Sequence, residues 1–306
     1  MTNQNNISVM HAKNLAKEKS KGKIGKILVK VAVYAFLIIM AIIIVFPFYW
    51  MIISSLKTLP EYEAPKPTLW PKEIIFRNYV DAFNTGDLGQ LFINTVIVGV
   101  VSTILSLIIT VLSAFAFARL EFKGRDTLFA LLLATMMIPG ELFTITNYIT
   151  VNKFGWMHTY TVLIVPFLVS IFYIYLLRQN FLQIPNELYL AAKVDGTSDI
   201  KYLWKVMIPL ALPSIISITI LKMMGTWNSY IWPRLVANDE NHKLITNGLR
   251  TAFEAVDGKV NYPLQMAGVT LVSIPLFLVF IFLRKYIMKG VSRSGIRVNS
   301  RKAYNK

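Results

Sequence analysis

Six stretches of this chain stay apolar for about 20 residues or more, the length a helix needs to cross a hydrocarbon core of about 30 Å. They fall at about 31–53, which contains "AFLIIMAIIIVFPFYWMII", and at 91–117, 127–149, 159–177, 207–233 and 264–283. A soluble core cannot absorb six such blocks. Charged residues make up only 16% of the 306, against about 25% in an ordinary soluble domain. The expected fold is an all-α integral membrane protein with six transmembrane helices. Every span except the second contains proline: Pro47, Pro139, Pro166, Pro209 with Pro213, and Pro275. Each frees a backbone carbonyl and predicts a kink, which is tolerated in a membrane where neighbours re-satisfy the freed group.

The net charge of +16 invites a nucleic-acid reading, but its placement argues against one. The N-terminus, the 2–3 loop, the 4–5 segment and the C-terminus hold 22 of the 32 Lys and Arg, and the other three loops hold 9. Basic residues flanking spans set orientation. Both termini and the 4–5 segment are therefore expected in the cytoplasm. Residues 1–26 read as a basic cytoplasmic tail, irregular or lying on the anionic inner leaflet. Residues 27–290 read as the six-span transmembrane domain, and 291–306 as a second basic tail. No recognition motif accompanies the charge, so no nucleic-acid partner is expected. The only partner implied by composition is membrane lipid.

Several chemistries are excluded. The chain has no cysteine, and its three histidines show no ligand spacing, so neither metal nor thiol chemistry is expected. No catalytic constellation falls in the spans. Without a phosphate-binding G-x-x-x-x-G-K-[ST] loop, the chain is not expected to hydrolyse nucleotide. The first apolar block is too long for a signal peptide and reads as a retained span.

The 1–2 loop opens with "KTLPEYEAPKPTLWPKE", whose four prolines predict little regular structure, and "FRNYVDAF" then predicts a short helix. This loop and the 5–6 loop (about 234–263) read either as solvated connectors or as docking surfaces.

The most informative stretch is "IPNELYLAAKVDGTSDIKYLWKVMIPLALPS" at 184–214. Pro185, Asn186 and Glu187 make a good helix start, with an acid near the positive end of the dipole. Leu188, Ala191 and Ala192 share a narrow, small face. Gly196 ends that helix at little cost. Thr197 or Ser198 can cap a second helix running through Tyr202 and Trp204 into Pro209 and span five. This is a helix–Gly–helix elbow joined to a transmembrane helix. It either packs only on its own protein or carries an external push into the membrane.

The stretch resembles the EAA loop of ATP-binding-cassette importer permeases, E-A-A-x-x-D-G-(A/T)-S followed by "LP" or "IP". Ala191, Ala192, Asp195, Gly196, Ser198 and Pro209 match. The motif glutamate falls at Leu190, with Glu187 one turn earlier, so an apolar contact from Leu190 is expected to replace a polar one. "NTVIVGVVSTILSLIITVLSAFAFARLEFKGR" at 94–125 is similar to the second span of carbohydrate importer permeases. "GTWNSYIWPRL" at 225–235 is similar to their W-N-x-(F/Y)-x-W-P signature, and "SSLKT" at 54–58 and "NYVDAF" at 78–83 also fit. The resemblance covers about residues 30 to 290 and points to the shorter, six-span permease of the maltose/oligosaccharide type. The ending "RKYIMKGVSRSGIRVNS" departs from that family's glycine-rich terminus.

The resemblance implies a prokaryotic inner-membrane sugar importer with a second, homologous permease, an ATPase dimer and an extracytoplasmic sugar-binding protein. ATP and Mg would be held by the ATPase, with no cofactor in this chain. The elbow at 187–205 would couple to the ATPase through Glu187, Leu190, Ala191, Ala192, Asp195, Gly196 and Ser198. A side chain at Gly196 would obstruct the turn. Trp227, Asn228, Tyr230 and Trp232 are pathway candidates, since aromatic rings stack on sugar faces and Asn both donates and accepts. The same residues fit an interfacial aromatic belt. Lys222 and Glu141 are intramembrane charges and thus candidates for the pathway or for pairing. Two other transport readings stay open: an importer permease for a non-sugar solute, and an ion-coupled secondary transporter, for which Glu141 and Lys222 would be a sparse relay.

Overall fold

The computed structural model describes residues 2–253 and 260–292, with side chains over 29–253 and 260–282. Every regular element among them is helical. The expected C-terminal tail lies, from 293 onward, outside the described residues.

The first unit, Met1–Ile75, is built on α1 (Thr2–Ser55). The 1–26 tail, expected to be irregular or to lie on the inner leaflet, is here the first half of this helix. Good helix formers such as Ala12, Leu15, Ala16 and several lysines occupy it, and no proline occurs before Pro47. From Val31 onward α1 is apolar all round, and none of its most apolar stretch is buried within the chain. Such a helix needs lipid or a partner against it. A short α2 (Leu59–Tyr62) follows, capped by Thr58. The proline-rich loop beyond it is irregular, as expected, but it is tied down. The Glu61 carboxylate accepts from the Thr68 hydroxyl (2.6 Å) and the Lys72 N–H (3.1 Å), and Lys57 Nζ donates to the Thr68 carbonyl (2.5 Å).

The second unit, Phe76–Lys306, holds the remaining elements. "FRNYVDAF" gives α3 (Arg77–Thr85). The long α4 (Leu88–Arg119) follows, then α5 (Arg125–Thr135), a 3-10 turn (Gly140–Phe143) and α6 (Thr144–Lys153). Next come α7 (Tyr160–Ile164), a 3-10 turn (Val165–Phe167) and α8 (Ile171–Leu182). The elbow is α9 (Asn186–Val194) and α10 (Asp199–Tyr202), continued by a π turn (Leu203–Met207) into α11 (Ile208–Trp227). Then come α12 (Ile231–Val236), α13 (Ile245–Ala252) and α14 (Tyr262–Ser292).

Across the described residues four helices are long and apolar enough to cross a membrane: Val29–Ser55, Leu88–Arg119, Asp199–Trp227 and Tyr262–Phe282. Two bent pairs also qualify if each is taken as one span. Arg125–Thr135 with Gly140–Lys153 bends by 81°, and Tyr160–Phe167 with Ile171–Leu182 bends by 46°. The single third span read from sequence is thus broken. Pro139 cannot donate to a preceding turn and pushes Ile138 out of the helical region, so the helix stops before it.

Helix α4 is the spine of this unit and packs along both α8 and α11, while α14 packs on α11 and α3. Its buried face is a stripe of small polar residues: Asn94, Thr95, Gly99, Ser102, Thr103, Ser106 and Thr110. Small residues let membrane helices approach closely. At Gly99 an added Cβ would lie 2.8 Å from Met223 Sδ on α11, so a side chain there would require the methionine to shift. One core cluster joins the C-terminal half of α4 to α8 and the elbow, through Phe115, Leu177, Phe181, Tyr202, Leu203 and Met207. A second lies toward the other end, through Val98, Val162, Leu163, Trp232, Val236 and Leu244.

Candidate functional site

The elbow is closed by local chemistry. Helix α9 ends where Thr197 N–H donates to the Ala192 carbonyl (2.8 Å) and Gly196 N–H to that of Lys193 (3.0 Å). Gly196 sits at φ +70°, the left-handed region that glycine enters freely. The expected obstruction at this glycine is not found, because a Cβ there would meet no atom within 4 Å. The constraint is the backbone angle. Ser198 then caps α10, its hydroxyl accepting from Lys201 N–H at 3.4 Å. Asp199 clasps the two arms: Tyr189 Oη and Lys193 Nζ each donate to its carboxylate at 2.7 Å. That hydrogen bond holds the Lys193 ammonium above its ordinary pKa.

The two alanines part company. Ala192 turns inward beside Tyr189 and packs on the core cluster. Ala191 faces out with Glu187, Leu190 and Val194, at i, i+3, i+4 and i+7 spacing, and all four are exposed. Val194 is 89% exposed and Leu190 55%, an unpartnered apolar stripe. Asp195 is exposed at the end of α9. The face read from sequence, Leu188 with both alanines, is therefore rotated by about one position.

Arg119, at the C-terminal end of α4, anchors the entry to the elbow. Its Nη2 donates to the carbonyls of Phe181 (2.9 Å) and Ile184 (2.6 Å), and Nη1 to Asn186 Oδ1 (3.4 Å). Arg178 on α8 does the reverse, donating from Nε to the Phe117 carbonyl of α4 (3.0 Å). Each arginine thus serves the carbonyl end of the other's helix, where the dipole favours a cation. At the exit of the elbow the π turn widens the helix ahead of Pro209, whose ring would otherwise press on the Lys205 carbonyl. The second arm of the elbow and α11 therefore form one unbroken helix, Asp199–Trp227, of 29 residues. At about 1.5 Å per residue it is about 40 Å long.

The far end of that rod lines a cavity of about 330 Å³, with Ser102, Phe167, Ser170, Tyr173, Lys222, Thr226, Ser229 and Trp232 in its wall. A second cavity of about 570 Å³ shares Phe167, Ser229 and Trp232 and adds Glu141, Asn147, Asn228 and Tyr230. Five of the six pathway candidates thus lie on two adjoining cavities. The sixth does not: Trp227 is 5% exposed and packs on Phe92 with Leu88, Leu91, Ile245 and Val272. The motif that carries it straddles a helix break at 228–230, which sends its first tryptophan into the core. Trp232 is also largely buried, its indole N–H donating to the Val162 carbonyl (2.9 Å) and one edge reaching the cavities. Asn228 Nδ2 donates to the Met224 carbonyl (2.9 Å). Glu141 stands exposed in the 3-10 turn after Pro139.

Two groups that the sequence reading passed over hold the loops next to these cavities. Asn94 donates to the carbonyls of Asn241 (2.8 Å) and Lys243 (3.0 Å) and accepts from Gln90 and Tyr160 (both 2.8 Å). Asp239 accepts from His158 (3.2 Å) and His242 (2.7 Å) and so ties two loops together. Burial alone would raise the Asp239 carboxyl, but the hydrogen bond and charge of His242 and the hydrogen bond of His158 more than offset it and leave its pKa below the ordinary 3.8. A depressed carboxylate contributes stability that is present above its unfolded pKa and is lost as pH falls through the folded one. The melting-temperature gap between wild type and Asp239→Asn is therefore expected to shrink as pH falls below 3.8. A gap that persists unchanged in acid would refute the assignment.

The comparisons with known proteins agree with this architecture. The arabinooligosaccharides transport system permease protein AraQ of Halalkalibacterium halodurans is 30% identical over 84% of this chain and 92% of its own length. AraQ of Bacillus subtilis is 27% identical over 88% and 96%. The sn-glycerol-3-phosphate transport system permease protein UgpE of Rhizobium meliloti is 30% identical over 83% and 93%. Among solved structures, a bacterial ABC transporter that imports the acidic polysaccharide alginate has a chain with a TM-score of 0.77 and 24% identity, covering 85% of this chain and 96% of that one. Residues 106–293, which run from the middle of α4 through the elbow and both cavities, match the family described as the binding-protein-dependent transport system inner membrane component. With the elbow and the cavity-lining end of α11 inside that match, the chain belongs to this family of transport permeases.

Proposed function

We propose that this chain is one of two permeases in an ATP-driven oligosaccharide importer, and that it couples to the ATPase through the exposed stripe Glu187, Leu190, Ala191 and Val194. The observation that carries this reading is the continuous helix from Asp199 to the cavity, with the stripe on α9 clasped to its start through Tyr189, Lys193 and Asp199. A displacement at one end of a stiff rod reaches the other. The apolar Leu190 and Val194 suit a hydrophobic seat on the ATPase. Asp195, Gly196 and Ser198 keep the turn in shape, and Ala192 braces it from behind. The oligosaccharide cargo follows the relatives, two of which are named for arabinooligosaccharides.

In this reading each bent pair is one span, giving six with α1, and residues 27–290 form the permease between two basic tails. Both termini and the elbow are cytoplasmic. ATP and Mg sit on the separate ATPase dimer. A second permease completes the pathway, and an extracytoplasmic binding protein delivers the sugar. Lys222, Glu141, Asn228, Tyr230 and Trp232 line this chain's share of the route, and Trp227 supports it from the core.

The chain lacks cysteine, so a single introduced cysteine reports without background. With Val194→Cys, a short crosslinker is expected to join the chain to a vanadate-sensitive ATPase that co-purifies with it. With Ala192→Cys, on the inward side, it is not. A chain isolated gently from its membrane without any ATPase or second permease would overturn the importer reading.

A further inference from the structure

The first cavity has one charged side chain in its wall, Lys222, and the polar groups around it are hydroxyls of Ser102, Ser170, Tyr173, Thr226 and Ser229. The Lys222 ammonium donates to the Phe167 carbonyl at 2.7 Å. The bend between α7 and α8 leaves that carbonyl outside the helical ladder. One carbonyl engages one of three ammonium hydrogens and carries no net charge. Among the described residues no carboxylate comes within 4 Å of Lys222. A cation at membrane depth is costly unless something negative faces it. At the adjoining cavity Tyr230 has two more cations over its ring, Arg234 at 5.7 Å and Arg250 at 5.8 Å. Glu141 is an acid in the wall of the second cavity but not of the first.

We propose that the first cavity is an anion subsite on the translocation route, in which Lys222 receives the carboxylate or phosphate of an acidic sugar while the surrounding hydroxyls bond its hydroxyl groups. The proposal rests on the importer reading and names its substrate class. Cavities with one sign of charge and low-dielectric walls concentrate the opposite sign, so an acidic cargo is favoured over a neutral one of equal size.

The test uses the assembled importer, with its second permease, ATPase and binding protein, in proteoliposomes. ATP-driven uptake is measured for trigalacturonate, glycerol 3-phosphate and neutral maltotriose. Wild type is expected to carry at least one of the two anions, and which one distinguishes carboxylate from phosphate. Lys222→Gln is expected to lower the ratio of anion to maltotriose uptake about tenfold, the loss of one charge-assisted hydrogen bond. Lys222→Arg is expected to keep that ratio within about threefold, since the charge stays. If Lys222→Gln lowers all three probes equally, Lys222 only braces the bend or pairs with the other permease, and the proposal fails. An active assembly that carries maltotriose and neither anion also overturns it. An assembly with no ATPase activity overturns the importer reading itself, and the proposal with it.

Discussion

Arg119→Ala is expected to destabilise the junction of α4, α8 and the elbow by about 3 kcal/mol, the upper part of the range for hydrogen bonds to a charged donor. The side chain is 8% exposed, and its guanidinium serves the carbonyls of Phe181 and Ile184 and the amide of Asn186. Alanine leaves two carbonyls at the end of α8 without their donor in a place water reaches poorly. Arg119→Lys should recover only part of the loss, since an ammonium cannot spread over three acceptors as a planar fork does. Thermal unfolding of the purified chain in detergent measures this. A melting temperature for Arg119→Ala equal to wild type would show that the contacts do not hold the junction.

The second large effect is expected at Gly196. With φ at +70° and no atom within 4 Å of an added Cβ, substitutions there differ by backbone tolerance and not by size. A β-branched residue is a true outlier in the left-handed region, whereas asparagine enters it several times more readily than most. Gly196→Val should therefore rotate α10 relative to α9, disturb the Asp199 clasp and lower coupled uptake about tenfold or more, since the left-handed angle alone costs about 1–2 kcal/mol. Gly196→Asn should stay within about twofold of wild type. Uptake and substrate-stimulated ATP hydrolysis, measured beside membrane insertion, decide the matter. Equal and complete loss in both variants would mean that the surface at Gly196, and not its angle, is what the ATPase reads.

Four of the spans were legible as single helices because hydropathy over 20 residues is a sum, needing no knowledge of neighbours. The helix ends of the elbow were legible for a similar reason: Ser198 and Gly196 act on amides within a few residues of themselves. The membership of Ala191 in an outward stripe and Ala192 in the core was not. Adjacent residues on a helix point about 100° apart, and which side meets the core depends on where α8 and α11 lie. The same limit hid Arg119, Asn94 and Asp239. Their partners are as much as 67, 149 and 81 residues away along the chain, so no local spacing announces them.

Proline told neither which helices break nor by how much: Pro47, Pro213 and Pro275 stand inside continuous helices. Pro139 and Pro166 both interrupt apolar runs, yet one break is 81° and the other 46°. A missing N–H removes a constraint without choosing a direction, and packing supplies the direction. The tryptophans of "TWNSYIW" were likewise equivalent as letters. The break at 228–230 buried Trp227 against Phe92 and left Trp232 with one edge on the cavities. The amino-acid order thus determined by itself that this is a helical membrane protein with a glycine elbow between two apolar spans, because burial in lipid and helix capping are local demands. Which face of the elbow is free, and which charges share a cavity, only the tertiary structure decided, because those depend on contacts between segments far apart in the chain.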